Sequence, residues 1–338
     1  MASYGVFMMT YPIEILYDGI RSCDRRLLAK AISLIESTLP QDRVNAHKLL
    51  SMLLPHTGKS WRIGITGAPG VGKSTLIETL GLTIIAEGHR IAVITIDPSS
   101  QRSGGSILGD KTRMNKLSNH NDAFIRPAPS GGTLGGVNSS TREVMLLCEA
   151  AGFDVIIVET VGVGQSETEV ESMVDMFMAL MLPNAGDELQ GIKRGIMEIT
   201  DVFVVTKADG TTAQLANLAK AQIQASTKLL RPKYEHWSPR TLTSSAVENR
   251  GINEVWQCCK QYFEGSMAAN AFVSLRARQN KHWLHTLLEQ GFREIFYHYP
   301  PIKEQLPIIE QQILDGKILP TFAADQLLSL LTIPQTHT

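Results

Sequence analysis

The stretch GAPGVGKST (67–75) fits the pattern G-x-x-x-x-G-K-[ST], a residue set suited to gripping the phosphates of a nucleotide. Its glycines let the backbone turn tightly enough for successive N–H groups to converge on phosphate oxygens. A helix starting near Lys73 would add the positive end of its dipole. The candidate phosphate contacts run through Gly67, Ala68, Pro69, Gly70, Val71 and Gly72 to Lys73, Ser74 and Thr75. Lys73 can reach the β and γ phosphates, and the Ser74 hydroxyl is suited to ligating magnesium.

Carboxylates fall at the right places to complete a magnesium and triphosphate site. The run DVIIVETVG (154–162) reads as a buried strand ending in Glu159, which can act on the metal directly or through a water. The Gly162 N–H that follows can sense the γ-phosphate. Asp97, at the end of another apolar run, is a second carboxylate, and Asp110 is a third from a polar loop. Three such groups would repel a triphosphate unless a cation sat among them, so magnesium dependence is expected, with Ser74, Asp97, Asp110 and Glu159 as candidate ligands. Lys73, Asp97, Glu159 and Gly162 form the candidate catalytic set.

The base is read from VVTKAD (204–209). Guanine offers two adjacent donors, N1–H and the exocyclic amine, to the Asp209 carboxylate, whereas adenine has an acceptor at N1. Lys207 would lie against the base. After a further strand, Ser245 and Ala246 in TSSA (243–246) could direct a backbone N–H to guanine O6. The bound nucleotide is therefore expected to be GTP or GDP.

These residues need a scaffold, and the apolar patterning supplies one. Short apolar runs near 63–66, 90–96, 123–126, 154–159, 176–182, 201–206 and 240–244 read as strands. Helical patterns at 73–87, 140–151, 211–230 and 251–264 separate several of them, the signature of an α/β fold with a mainly parallel sheet. Residues 1–58 read as an N-terminal helical extension and 59–267 as the P-loop nucleotide domain. Residues 268–338 read as a C-terminal helical arm, with Leu284, Leu287, Leu288, Phe292 and Ile295 at helical spacing, suited to oligomerisation. In the extension, Leu27, Leu28, Ala31, Ile32 and Ile35 form one expected core stripe, and Val44, His47, Leu50 and Leu54 the next. The polar, glycine-rich stretches 98–113 and 130–136 read as loops.

Composition narrows the function classes. The 338 residues are 43% apolar and 19% charged, enough for a sizeable core and incompatible with wholesale disorder. With 32 basic against 33 acidic residues the net charge is −1, so no nucleic-acid or membrane partner is expected. The four cysteines form no CxxC pair, which suits a reducing compartment. The first basic residue is Arg21 and no apolar run approaches a bilayer span, so a cytoplasmic location is expected. His282 and His285 lack ligand-type neighbours and read as surface residues; the methionines at 173–181 read as core.

The motif order resembles the MeaB/ArgK family of P-loop GTPases, chaperones of adenosylcobalamin-dependent methylmalonyl-CoA mutase. Beyond the P-loop, the resemblance rests on IDPSS (96–100), GTLGG (132–136), ETVGVGQSE (159–167) and above all GDELQGIKRG (186–195). It implies an N-terminal helical extension, a central G domain and a C-terminal dimerisation arm, hence a homodimer. It further implies the mutase as partner, and a switch loop in which Asp187, Gln190 and Lys193 couple that partner to the nucleotide. No cobalamin ligand is evident in the chain. The resemblance departs at Thr206, where many GTPases have an Asn whose amide braces the loops. It also departs at 130–133, where an expected arginine is missing, leaving Arg102, Arg113 and Arg142 as candidates for charge stabilisation. Two other functions share the nucleotide fold: nickel insertion, which needs a metal-carrying cluster, and a kinase acting on a transport-related partner.

Overall fold

The computed structural model describes residues 11–97, 114–129, 140–160, 166–183 and 194–331. Among the described residues seven strands lie in the order β3-β2-β4-β1-β5-β6-β7. They are β1 (Trp61–Gly67), β2 (Ile91–Asp97), β3 (Ala123–Pro129), β4 (Val155–Thr160), β5 (Met176–Met181), β6 (Val202–Val205) and β7 (Arg240–Thr243), and every pairing is parallel. The helices are α1 (Ile13–Arg21), α2 (Arg25–Ile35), α3 (Pro40–Leu53), α4 (Lys73–Ala86), α5 (Asn115–Ser118), α6 (Ser140–Ala150) and α7 (Ser166–Glu171). They continue as α8 (Arg194–Ile199), α9 (Ala213–Thr227), α10 (Ile252–Ala268), α11 (Ala271–His298), α12 (Pro300–Leu314) and α13 (Pro320–Ser329).

Both faces of the sheet are covered, which is why the central strands are apolar throughout instead of alternating with polar residues. In β4, Val155 and Ile157 enter the core built with α4 and α10, among Leu76, Leu80, Trp256 and Phe263. Their neighbours Ile156 and Val158 enter the opposite core, built with α1, α2, α3 and α6. In β5 and β6, Ala179, Met181, Phe203 and Val205 pack on α9 through Ala216, Ala219 and Ile223. Met173, Met176, Met178 and Met181 are buried, as expected of core methionines.

The N-terminal helices thus close one face of the sheet. In α2 the N-cap Asp24 accepts from the N–H groups of Arg26 and Leu27, and Leu28, Ala31, Ile32 and Ile35 turn inward as expected. Of the second expected stripe only Leu50 packs on that core, partly buried. Val44 and Leu54 are each 62% exposed, and α3 buries Ala46, Leu49 and Leu53 instead. The run Leu49-Leu50 to Leu53-Leu54 offers two apolar stripes about 100° apart, and the contacts with α2 and α6 select one.

The edge where the strands begin is fastened by buried ion pairs. Arg276 in α11 donates from Nε to Asp175 Oδ1 at 2.8 Å and from Nη2 to Oδ2 at 2.6 Å. It also donates to the carbonyls of Gly58 and Ser60 just before β1. Beside it, Glu149 accepts from Arg62 Nε at 2.7 Å and from Gly58 N at 2.6 Å. Burial pushes the Glu149 carboxyl up, but the Arg62 guanidinium, with the Ser60 and Gly58 donors, outweighs it and holds the carboxyl below its ordinary value.

The chain divides into two compact units, 1–276 and 277–338. The second has its own small core of Ile302, Ile309, Ala323 and Leu327, flanked by Phe296, Tyr299 and Leu306. The α11 side chains Leu284, Leu287, Leu288, Phe292 and Ile295 are 40–69% exposed.

Candidate functional site

Because all seven strands run parallel, their carboxyl ends share one edge, and the motif residues leave the sheet there. The register sets Ile65 beside Glu159 and Gly67 beside Leu180, and pairs Val205 with both Met181 and Thr243. The phosphate loop, the strand-end acid and both base motifs are thereby gathered at one edge.

The loop between β1 and α4 carries backbone shapes that explain its glycines. A Cβ on Gly67 would meet the Leu180 carbonyl oxygen at 2.8 Å, so a side chain there would push β1 from β5. Gly72, the N-cap of α4, has φ +97°, a left-handed value costly for other residues. Between them Val71 anchors the loop by burying its side chain in the core, whereas Pro69 and Gly70 are exposed and Ala68 is half-buried. Thr75 is exposed in the first turn of α4.

Lys73 opens α4 and is 9% exposed, and its Nζ donates to Gly67 O at 2.7 Å and Ala68 O at 3.2 Å. The ammonium is therefore aimed back across the loop that would hold the phosphates. Ser74 Oγ donates to Glu159 Oε1 at 3.4 Å. A hydroxyl and a carboxylate side by side are the oxygen donors magnesium selects, so these residues fit that cation. Thr160 Oγ1 donates to Thr66 Oγ1 at 2.9 Å, tying the ends of β4 and β1 just below.

Asp97 ends β2, where Ile96 pairs with Thr160, so its backbone lies next to the Glu159 strand end. Gly162, Asp110, Asp187, Gln190 and Lys193 lie outside the described residues, as do the 98–113 and 130–136 stretches and Arg102 and Arg113. Arg142 donates from Nη2 to Ser172 O at 2.7 Å and Ser172 Oγ at 2.9 Å. Burial pushes its guanidinium down to about 10.

At the base motifs the structure supplies bracing that the missing Asn amide had left without a source. The Thr206 hydroxyl donates to the Val71 carbonyl at 2.6 Å across 135 residues of sequence, linking the base loop directly to the phosphate loop. Lys207 is exposed with φ +52°. Asp209 Oδ2 accepts from Ser245 Oγ at 2.5 Å, so the two base motifs touch through the residue expected to read guanine. Ala208 N donates to Ser244 O at 3.0 Å, and Ala246 is half-buried just beyond.

Arg250 was not foreseen. It donates from Nη2 to the Ala208 carbonyl, while its backbone forms a two-bond bridge with Ser245. It clamps both base motifs, yet no spacing rule marks it. A turn signal, Asn249 with φ +51°, is the sole local clue.

Among the described residues no three His, Cys, Asp or Glu side chains converge on a common point, and His282 and His285 are exposed. All four cysteines are free. Among those residues no helix is long and apolar enough to cross a membrane.

Comparison with known proteins adds to this geometry. The family described as "Methylmalonyl Co-A mutase-associated GTPase MeaB" matches residues 28–298. A probable GTPase of Mycobacterium tuberculosis is 46% identical over 321 residues, covering 95% of this chain and 96% of its own. The mouse "Methylmalonic aciduria type A homolog, mitochondrial" is 44% identical, covering 94% of this chain and 79% of its own. The Escherichia coli "GTPase ArgK" is 48% identical over 271 residues, covering 80% and 82%. A solved structure described as an LAO/AO transport system kinase superposes with a TM-score of 0.76 at 36% identity, covering 95% of this chain and 98% of its own.

Proposed function

The chain belongs to the MeaB family of methylmalonyl-CoA mutase-associated GTPases, and from that premise we propose that it is a magnesium-dependent, GTP-hydrolysing chaperone of the mutase. It binds the mutase and gates or protects its loading with adenosylcobalamin, using GTP and GDP states as a cycle. The observation that carries this reading is the family match across 28–298 in a chain whose phosphate and base loops are joined by the Thr206–Val71 bond.

In this reading the backbone of residues 67–72 holds the phosphates and Lys73 turns from the Gly67 and Ala68 carbonyls to the β and γ oxygens. Ser74 and Glu159 would hold magnesium, with Asp97 and Asp110 as further carboxylates, and the cation would supply charge neutralisation at the transferred phosphoryl group. Asp209, oriented by Ser245, accepts from guanine, with Lys207 along the base and Ala246 N–H toward O6. Gly162 responds to the γ-phosphate, and Asp187, Gln190 and Lys193 pass the partner's state to the site. The exposed apolar side chains of α11 support a homodimer formed through the arm.

The test is magnesium-dependent GTP hydrolysis by the purified protein, alone and with the mutase in its apo and cofactor-loaded forms. Stimulation by one form, abolished in Lys73→Ala, is expected; turnover indifferent to both forms would remove the mutase as partner. The description of the solved relative favours a second reading, transfer of the γ-phosphate to a transport-related protein. Radiolabelled phosphate from GTP appearing on protein instead of in solution would select it.

A further inference from the structure

Lys233 lies on the segment joining α9 to β7, between the two base motifs in sequence and outside every motif described above. Its ammonium faces acceptors from three different elements. Nζ is 2.8 Å from Glu171 Oε1 at the end of α7 and 3.2 Å from the Ile199 carbonyl at the end of α8. It is 3.6 Å from Asp201 Oδ1 just before β6. Glu171 and the Ile199 carbonyl lie within hydrogen-bond distance of its N–H donors, and Asp201 adds an ion pair at longer range.

Asp201 is itself fixed to the sheet, and the end of α7 to α6. Asp201 Oδ2 takes the Phe177 N–H at 2.8 Å, its N–H donates to Phe177 O at 2.8 Å, and its own carbonyl takes Trp237 Nε1 at 3.0 Å. Next to Glu171, Ser172 is held by Arg142 at the start of α6. Both helices tied by Lys233 are only six residues long, too short to hold their positions by helix formation alone. In sequence α7 follows directly on residues 161–165, which include Gly162, and α8 follows on 184–193, which include Asp187, Gln190 and Lys193.

We propose that Lys233 is a positioning residue that couples α7 to α8, so that a displacement of one helix on exchange of GDP for GTP is passed to the other. This rests on the GTPase reading and names how that site is regulated: the ammonium bridges the ends of the two helices while Asp201 holds it at the sheet, so the helix ends shift together about that fixed point. A purely structural lysine would stabilise the fold equally in both nucleotide states. A coupling lysine makes the response of α8 depend on α7.

The experiment is amide hydrogen exchange on the full-length protein with GDP and with a non-hydrolysable GTP analogue, followed in peptides covering α7 and α8. Two variants break the joint differently. Glu171→Ala removes the α7 acceptor and leaves the buried Lys233–Asp201 contact. Lys233→Met with Asp201→Asn removes the ammonium together with the fully buried Asp201 charge, so that the carboxylate left without Lys233 is the partly exposed Glu171. In the wild type both helices should change exchange rate between nucleotides. In both variants the response of α8 should fall at least about fivefold, while α7 keeps its response and GDP affinity is unchanged. An undiminished α8 response in either variant overturns the coupling, as does a wild type that binds both nucleotides with neither helix responding. A wild type that binds no guanine nucleotide overturns the functional reading itself, a result read from the affinity measurement before any exchange is compared.

Discussion

Replacing Thr206 with Val keeps the shape of the side chain and removes a single donor, the hydroxyl that reaches the Val71 carbonyl at 2.6 Å. Thr206 is 5% exposed, so water cannot readily take its place. The same hydroxyl oxygen lies 3.2 Å from Met181 O, but that carbonyl also receives the Thr206 backbone N–H at 2.9 Å, so the strand pairing survives. The loss falls on the Val71 carbonyl and through it on the phosphate loop. Leaving a buried acceptor unpaired costs about 1–3 kcal/mol. Whether the loop bears that cost in place or relaxes away from it, the conformation that grips phosphate becomes less favourable, and GDP affinity should fall about 5-fold to 150-fold. Titration with fluorescent GDP measures this. Thr206→Ser keeps the donor and should bind within about threefold of wild type. GDP binding by Thr206→Val within about twofold of wild type, with the fold intact, would refute the idea that this hydroxyl takes over the work of the usual Asn.

Other substitutions test other links. Asp209→Asn should switch preference from GTP to XTP, because the new side-chain oxygen can keep the Ser245 bond while its amine faces the xanthine C2 carbonyl; unchanged discrimination in competition binding would remove Asp209 from base recognition. Arg276→Met strands the fully buried Asp175 carboxylate and should cost about 3–5 kcal/mol in denaturant unfolding, whereas adding Asp175→Asn should recover part of it. No recovery in the double variant would show that the carbonyl contacts of Arg276 dominate instead. Asp201 supplies a pH test. Burial pushes its carboxyl from the ordinary 3.8 up to about 6, and Lys233, nearer Glu171 at 2.8 Å than Asp201 at 3.6 Å, offsets only part of this. The folded state therefore binds the proton more tightly than the unfolded chain. This contribution to stability is present below pH 3.8 and lost as the pH rises through 6. The change is of the order of 3 kcal/mol. Asp201→Asn should lack that decline, and an identical pH profile in the variant would contradict the assignment.

What could be read from sequence is what neighbouring residues impose on one another. The phosphate loop was legible because left-handed turns, a tight approach to the next strand and a helix start each demand particular residues within a few positions. Gly67 and Gly72 meet those demands in the folded chain. Strands buried on both faces were legible because unbroken apolar runs such as 155–158 have few other stable uses. The histidine pair was rightly left at the surface for the same reason, since nothing in the surrounding sequence offered a ligand set.

Elsewhere the pattern underdetermined the outcome. At the end of α3 two leucine stripes were equally apolar, and packing against α2 and α6 buried Leu49 and Leu53 fully, Leu50 in part, and left Leu54 exposed. Thr206 read as the loss of an amide, because the carbonyl that replaces its partner lies 135 residues away. Arg250, Lys233 and Arg276 are ordinary surface-type residues in sequence. Each became a joint only when the parallel sheet brought its acceptors together from separate elements. The chain alone thus determined the chemistry of the loops and the class of fold, since those follow from backbone sterics and local hydrophobic period. The tertiary structure decided which loops brace one another, because a hydrogen bond forms wherever donor and acceptor meet in space, whatever their separation along the chain.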